Sequence, residues 1–177
     1  MFTGIIQAVG EVAAIEQTGG DVKLRIKTGA LPLEDVQLGD SIATNGVCLT
    51  VTELPGDGYW ADVSTETLSL TSLKGVVVGG AVNLEKSLTP TTALGGHLVS
   101  GHVDGLGRVV GLTRDARSWR VSIEAPADLA RYIAQKGSIC VDGTSLTVNA
   151  VEGARFELNI IPQTWESKLF YSSMFLK

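Results

Sequence analysis

The side chains that could carry chemistry are few: the chain has two cysteines, Cys48 and Cys140, and two histidines, His97 and His102. They form neither a disulfide framework nor the paired C-x-x-C pattern of a zinc site, and no carboxylates show a ligand pattern, so no metal is expected. A deprotonated thiol is a nucleophile, and an imidazole carries protons near neutral pH. Judged alone, however, a cysteine between valine and leucine is more often buried packing, and a lone histidine is more often a structural hydrogen-bonding group.

The chain contains the same sequence unit twice. Residues 41–51 reappear as residues 138–148, an offset of 97, with six of the eleven positions identical. A constant offset without gaps indicates two copies of one domain, and the prolines, threonines and glycines near residues 87–96 are typical of a linker. We therefore expect an N-terminal barrel over residues 1–86 and a C-terminal barrel over residues 97–177.

Each copy has the pattern of a small β-barrel. Apolar and polar residues alternate over residues 22–27 and 119–124, which is the period of half-buried strands. Asn45-Gly46 and Asp142-Gly143 predict two-residue hairpin turns, because these residue types tolerate a positive φ. A proline and apolar residues at helical spacing predict a helix over Pro126–Gln135. The sequence thus predicts an all-β fold of two tandem Greek-key six-stranded barrels with short helices.

Composition and charge exclude several classes of function. With 177 residues, 44% hydrophobic and 19% charged, the chain is a globular protein rather than a disordered chain or a coiled coil. Its 14 Lys and Arg against 19 Asp and Glu give a net charge of −5, so no nucleic-acid partner is expected. The longest apolar run, at residues 75–82, is far shorter than the roughly 18 residues of a membrane span, and the N-terminus lacks the basic start of a signal peptide. We expect a cytoplasmic protein whose partner is a small molecule or a second copy of the chain.

A set of motifs spread over both copies resembles the riboflavin synthase family. Any one of them would mean little, whereas their joint occurrence in this order is specific: Met1–Ile5, Asn45–Val51, Glu66–Leu68, Val82–Glu85, Gly95–Gly105 and Asp142–Val148. The resemblance implies two similar barrels that each hold one lumazine, without a cofactor. It also implies a homotrimer in which facing barrels of different subunits form the active site.

The reaction that the resemblance implies is the last step of riboflavin formation. Two molecules of 6,7-dimethyl-8-ribityllumazine exchange a four-carbon unit, which gives riboflavin and 5-amino-6-ribitylamino-uracil. The donor loses a proton from its 7-methyl group and the acceptor is attacked at C7, so the site needs a base, a nucleophile and donors to anionic rings. Two similar pockets with different side chains suit this reaction, and the copies differ where Cys48 aligns with Ser145 and Ile5 with His102.

The resemblance also implies the residues of the site. Cys48 is the candidate nucleophile or positioning thiol, His102 the candidate proton carrier, and Ser41, Ser145 and Thr147 the orienting hydroxyls. His97, which follows Gly95-Gly96 in the linker, is left out of the catalytic set. Many further contacts are expected to be backbone hydrogen bonds to the pteridine edge, with hydroxyls and carboxylates holding the ribityl chain. The expected substrate-binding residues are Gly4, Ile5, Ile6, Cys48, Leu49, Thr50, Asp62, Val63, Ser64, Thr65, Glu66, Thr67, Gly101, His102, Val103, Lys136, Ser145, Leu146, Thr147, Asn159, Ile160, Ile161, Pro162, Gln163 and Thr164.

The end of the chain departs from the family pattern. The offset of 97 places the equivalent of Val82 at position 179, beyond Lys177. We therefore expect a second barrel without its sixth strand and without the family's C-terminal helix, which is the trimer contact, and we expect impaired turnover and altered association. Apolar residues of the tail should add exposed sticky surface: Trp165, Leu169, Phe170, Met174 and Phe175.

Other functions and roles stay open from the sequence. A non-catalytic lumazine- or flavin-binding protein of the same fold is the first alternative. The flavin-binding barrel of a reductase is another, although no dinucleotide-binding Gly-x-Gly-x-x-Gly unit is present. Without the family resemblance, Ser64 and Thr67 are as well explained as residues that cap a turn.

Overall fold

The computed structural model describes residues 1–167, and these form two β-sheets and two short α-helices. The predicted all-β class is therefore confirmed. The first copy contains β1 (Ala8–Thr18), β2 (Asp21–Lys27), β3 (Ser41–Thr44), β4 (Val47–Glu53), β5 (Gly58–Val63), α1 (Thr65–Leu70), a 3₁₀ turn (Ser72–Gly75) and β6 (Ala81–Lys86). The second contains β7 (Arg108–Asp115), β8 (Ser118–Glu124), a 3₁₀ turn (Ala130–Tyr132), β9 (Ser138–Val141), β10 (Thr144–Glu152), β11 (Arg155–Ile160) and α2 (Pro162–Ser167).

The two sheets share one topology. The first is a closed antiparallel barrel in the order β1-β2-β5-β4-β3-β6, in which β6 pairs with both β1 and β3. The second has the order β7-β8-β11-β10-β9, which is the same order without an equivalent of β6 among the described residues. The predicted six-stranded first barrel is confirmed, and the expected five-stranded second sheet is what residues 1–167 form. Among residues 1–167, strands β7 and β9 are its edges.

The core follows the alternation seen in the sequence. Val22, Leu24 and Ile26 of β2 point into the first barrel and are buried, while the residues between them are partly exposed. Tyr59 fills the same interior, and its hydroxyl is 2.5 Å from the Thr44 hydroxyl. Burial raises the pKa of Tyr59, so the phenol stays protonated and hydrogen-bonded inside the barrel.

A second core lies on the inner face of the second sheet. It contains Phe156 and Leu158 of β11 and also Trp165 of α2, whose ring stacks on Trp119 with centroids 4.8 Å apart. The expectation that Trp165 adds exposed surface is therefore wrong, because the stacking removes this indole from solvent. The other tail residues of that expectation lie outside the described residues.

The predicted helix over Pro126–Gln135 is wrong. Its backbone donors bond to carbonyls three residues back, as in Leu129 N to Pro126 O at 3.0 Å, and the 3₁₀ turn covers only Ala130–Tyr132. Ile133 then turns to an extended conformation, and Lys136 has a φ of +64°. A ten-residue segment has little helical stability without a packed face, so tertiary contacts decide its shape.

The two predicted hairpin turns are confirmed, and they contact each other. Asn45-Gly46 and Asp142-Gly143 have positive φ at both positions: 48° and 77° in the first turn, 44° and 85° in the second. A Cβ on Gly46 would lie 2.6 Å from the Gly143 backbone nitrogen, so the close approach needs glycine. Asn83 links β6 to both turns: its backbone N–H donates to Asn45 Oδ1 at 2.8 Å and its side-chain Nδ2 to the Asp142 carbonyl at 3.0 Å.

The described residues also bear on membranes and metals. Neither α-helix within residues 1–167 is long and apolar enough to cross a bilayer. Within the same range, no group of three or more His, Cys, Asp or Glu side chains is placed to hold a metal ion.

Candidate active site

Several of the predicted residues share the outer face of the first barrel. Strand β4 alternates between buried and accessible positions, so Leu49 belongs to the core while Cys48 and Thr50 lie on the outside. Ser41 of β3 is the ladder partner of Thr50, and Asp62 is exposed on the neighbouring β5. A thiol, two hydroxyls and a carboxylate thus occupy one face. Val63 and Leu49, which the sequence also suggested, are core residues whose side chains are turned away from it.

The start of α1 continues from strand β5. Ser64 caps this helix, because its hydroxyl oxygen accepts a hydrogen bond from the Thr67 N–H at 3.1 Å, while the Thr65 N–H donates to Asp21 Oδ1 at 3.2 Å. The capping role that the sequence left open for Ser64 and Thr67 is therefore present. Glu66 lies in the first turn, where its charge favours the helix. A ligand role for these residues stays a prediction.

A pseudo-two-fold contact joins the two copies. Phe2 and Val99 occupy equivalent positions, 97 residues apart, and they pair with each other: Phe2 N donates to Val99 O at 2.8 Å and Val99 N to Phe2 O at 3.0 Å. Residues that pair with their own equivalents lie on the local symmetry axis. The N-terminal segments of both copies therefore cross at this axis, and Phe2 is fully buried there.

Beyond the axis, each N-terminal segment lies against a strand of the other copy. Cys48 N donates to the carbonyl of Gly101 at 2.9 Å, and Ser145 N donates to the carbonyl of Gly4 at 2.7 Å. A Cβ on Gly4 would be 2.7 Å from Ser145 Cβ, and one on Gly101 would be 2.7 Å from Cys48 Cβ. These two exchanged contacts form what we call the clasp. The clasp holds Cys48 and Ser145 in place, and these are equivalent positions at which the two copies carry a thiol and a hydroxyl.

His97 contacts Ser145, which the sequence reasoning missed. Its Nδ1 lies 2.7 Å from Ser145 Oγ, and its backbone N–H donates to the Thr3 carbonyl at 3.0 Å. Burial lowers the pKa of His97, so the half-buried ring is neutral at neutral pH and one ring nitrogen can accept a proton. The signal in the sequence was the Gly95-Gly96 pair before this histidine, since glycine permits close backbone approach.

His102, the predicted proton carrier, is exposed and follows Gly101 of the clasp. Its backbone N–H donates to Ser100 Oγ at 3.1 Å. The structure thus places His102 beside the segment that contacts Cys48, and it places the other histidine on Ser145. At the N-terminus, Ile5 is exposed, and its N–H donates to Thr3 Oγ1 at 3.1 Å, whereas Ile6 is buried.

A cavity of about 420 Å³ lies along β9 in the second copy. Its walls are the segments 97–105, 125–134 and 138–140, closed by Gly46 and Val148. The volume lies in the range of small-molecule sites. Three predicted residues line it: Gly101, His102 and Val103.

Comparison with known proteins identifies the relatives. The sequence model of the lumazine binding domain matches residues 3–87 and 100–172. The riboflavin synthase of Photobacterium phosphoreum is 51% identical over 164 residues, which are 93% of this chain and 75% of that protein. The riboflavin synthase of Photobacterium leiognathi is 48% identical with the same coverage. The chain belongs to the riboflavin synthase family.

The fold of this riboflavin synthase family member is also found in LumP. Structures of LumP complexed with 6,7-dimethyl-8-(1'-D-ribityl) lumazine and with riboflavin give TM-scores of 0.84 and 0.87. Each comparison covers all of this chain and 96% of LumP, at 24% sequence identity. At that identity the likeness shows the fold. The enzymatic role, as a transferase, follows from the riboflavin synthase relatives.

The remaining predicted residues of the second copy are distributed over four places. Thr147 on β10 and Asn159 on β11 are exposed on the outer face, where they match Thr50 and Asp62 of the first copy. Lys136 is exposed and donates its backbone N–H to the Val148 carbonyl at 2.8 Å. The last group covers the junction of β11 and α2, where Ile160 is buried and Ile161 exposed; it comprises Ile160, Ile161, Pro162, Gln163 and Thr164. Leu146 is half-buried and packs against the second core.

Proposed function

We propose that this chain catalyses the dismutation of two 6,7-dimethyl-8-ribityllumazine molecules to riboflavin and 5-amino-6-ribitylamino-uracil. The single observation that carries the proposal is the clasp, which holds unlike groups at equivalent places of the two copies. Cys48 is held by Gly101, and Ser145 is held by Gly4 and lies on His97. Two identical substrate molecules would therefore meet different chemistry in the two copies, as donor and acceptor roles require.

In the second copy, Ser145 and His97 supply a hydroxyl and a base in contact. A neutral imidazole can take the hydroxyl proton as the serine oxygen adds to an electrophilic ring carbon, and it can return that proton when the oxygen leaves. The same base can accept the proton that a bound lumazine loses from its 7-methyl group. We propose that His97 acts in this way together with Ser145. We propose that His102, which follows Gly101 of the clasp, serves as a proton carrier.

In the first copy, the outer face of β3–β5 offers Cys48 with Ser41 and Thr50 beside it. We propose that Cys48 is the nucleophile or positioning thiol toward the other lumazine, that the hydroxyls orient it, and that Asp62 accepts hydrogen bonds from ribityl hydroxyls. We propose that the equivalent outer-face groups of the second copy, Thr147 and Asn159, hold the ribityl chain of the lumazine bound by that copy.

The assembly and location are part of the proposal. We propose that the active species is a homotrimer in the cytoplasm, in which the outer face of one barrel meets the outer face of a barrel from another subunit. The support is that both sets of site residues lie on accessible faces, as an inter-subunit site requires. Measurement of mass in solution, with and without 6,7-dimethyl-8-ribityllumazine, tests the trimer. A monomer under both conditions contradicts it and agrees instead with the altered association that the sequence analysis expects.

The catalytic proposal is tested by incubation of the protein with 6,7-dimethyl-8-ribityllumazine. We expect riboflavin absorbance to grow as the lumazine absorbance falls, at one riboflavin for every two lumazines consumed. Fluorescence-detected binding of the lumazine without any product would contradict catalysis and would support the alternative of a binding protein. The Ser145→Ala variant removes the proposed hydroxyl and keeps the strand, so it should form riboflavin more slowly than the unchanged protein.

A further inference from the structure

Glu85 is a buried carboxyl group with a specific set of partners. It lies on β6, is 2% exposed, and accepts three hydrogen bonds. Its Oε1 accepts from the Thr3 N–H at 2.7 Å and from the Thr3 hydroxyl at 2.6 Å, and its Oε2 accepts from the Gly4 N–H at 3.0 Å. A buried carboxylate costs free energy unless such bonds compensate it, so the three donors are needed at this position.

The direction of these bonds is fixed by the geometry. The Thr3 hydroxyl oxygen accepts the Ile5 N–H at 3.1 Å, which turns the hydroxyl proton toward Glu85. Both carboxyl oxygens therefore face donors. A glutamine at position 85 would point its NH₂ group at a donor, whichever way the amide is turned, so it could not reproduce the pattern.

The segment that Glu85 holds is the one that contacts His97 and Ser145. The Thr3 carbonyl accepts the His97 backbone N–H at 3.0 Å, and the Gly4 carbonyl accepts the Ser145 backbone N–H at 2.7 Å. Two consecutive carbonyls thus set the separation of the two residues whose side chains meet at 2.7 Å. The backbone N–H groups of Thr3 and Gly4, in turn, are donors to Glu85.

We propose that Glu85 is a positioning residue for the His97–Ser145 pair of the second copy, acting through the Thr3-Gly4 segment. The inference rests on the proposed function, because the pair matters as a proton-transfer couple only if the chain turns over lumazine. It adds a residue of the first barrel's closing strand to the machinery of the second copy. Glu85 itself touches neither His97 nor Ser145; its action is through the backbone.

The test uses Glu85→Gln and two readouts. The chain has only two histidines, so ¹⁵N-labelled histidine gives ring signals for His97 and His102 alone. We expect Glu85→Gln to shift the His97 ring signals and to leave those of His102 in place. We also expect it to lower kcat for riboflavin formation about tenfold to a hundredfold, which is the range for loss of a hydrogen bond to a charged group. Glu16→Gln, an exposed carboxylate on β1, is the matched control and should change neither readout.

The outcomes separate the inference from the proposed function. A lower kcat with unshifted His97 signals, or shifted signals with an unchanged kcat, overturns the positioning role. If the wild-type protein makes no riboflavin, the proposed function fails, while the NMR readout still decides whether Glu85 sets the geometry of His97. Should Glu85→Gln fail to fold, Thr3→Val removes the hydroxyl bond to Glu85 together with the acceptor of the Ile5 N–H, and it keeps the backbone donors of Thr3 and Gly4. The same shift of the His97 signals, smaller in size, is required of this variant.

Discussion

Gly101→Ala tests the clasp, and its cost can be worked from the geometry. Gly101 has a φ of +80°, a left-handed conformation that costs an alanine about 1–2 kcal/mol. The added Cβ would stand 2.7 Å from Cys48 Cβ, whereas carbon atoms pack at about 3.5–4.0 Å. Relief needs a shift of about 1 Å, which breaks the 2.9 Å bond from Cys48 N to Gly101 O and costs about 1 kcal/mol more.

The expected loss of unfolding free energy for Gly101→Ala is therefore about 2–3 kcal/mol. Gly153→Ala is the matched control, because Gly153 also has a positive φ, +59°, but a Cβ there meets nothing within 4 Å. Its loss should be only the left-handed strain of about 1–2 kcal/mol. Urea unfolding of both variants measures the difference.

Riboflavin formation gives a second, independent comparison of the same variants. Because Gly101→Ala displaces Cys48 by about 1 Å, we expect up to about a hundredfold loss of kcat, and none for Gly153→Ala. Equal destabilisation and equal activity of the two variants would refute the reasoning, since the clasp would then contribute nothing beyond a turn conformation.

Two further predictions concern the thiols and the buried imidazole. Cys48→Ala should lower the rate of riboflavin formation far more than Cys140→Ala, because only Cys48 is held in the clasp; equal losses would mean that both thiols serve packing. Burial lowers the pKa of His97 in the folded protein below its unfolded value of about 6.5, so the unfolded chain binds the proton more readily. The free energy of unfolding should therefore fall as the pH drops through about 6.5 toward the lower folded pKa. His97→Gln should flatten this part of the stability profile in urea unfolding at pH 5 to 8, and an unchanged profile would contradict the assignment.

Local patterns predicted the strands and turns because those elements depend on neighbours in the sequence. The alternation at Val22, Leu24 and Ile26 and the Asn45-Gly46 turn carry their own conformational preference, so the first barrel was accessible to sequence reasoning. The offset of 97 then transferred the strand order to the second copy. The helix at Pro126–Gln135 was wrong because a ten-residue segment has little helical stability of its own, so tertiary contacts, such as that of Ile133 with the second core, decide its shape.

The site was only partly predictable, for a different physical reason. Cys48 and Ser145 stood out as positions where two like copies differ. His97 did not, because its partner Ser145 lies 48 residues away and the contact exists only when the copies cross. The role of Glu85 could not be predicted either, since its three donors lie more than 80 residues away, at the start of the chain.

The self-pairing of Phe2 with Val99 has an evolutionary consequence. A contact in which each residue meets its own counterpart is the mark of an isologous homodimer interface. Two separate single-barrel chains could make every exchanged contact seen here, each lending its leading residues to the other. The tandem gene would then be a fusion of such a dimer, and once joined, the halves were free to diverge into a thiol on one side and a hydroxyl with an imidazole on the other.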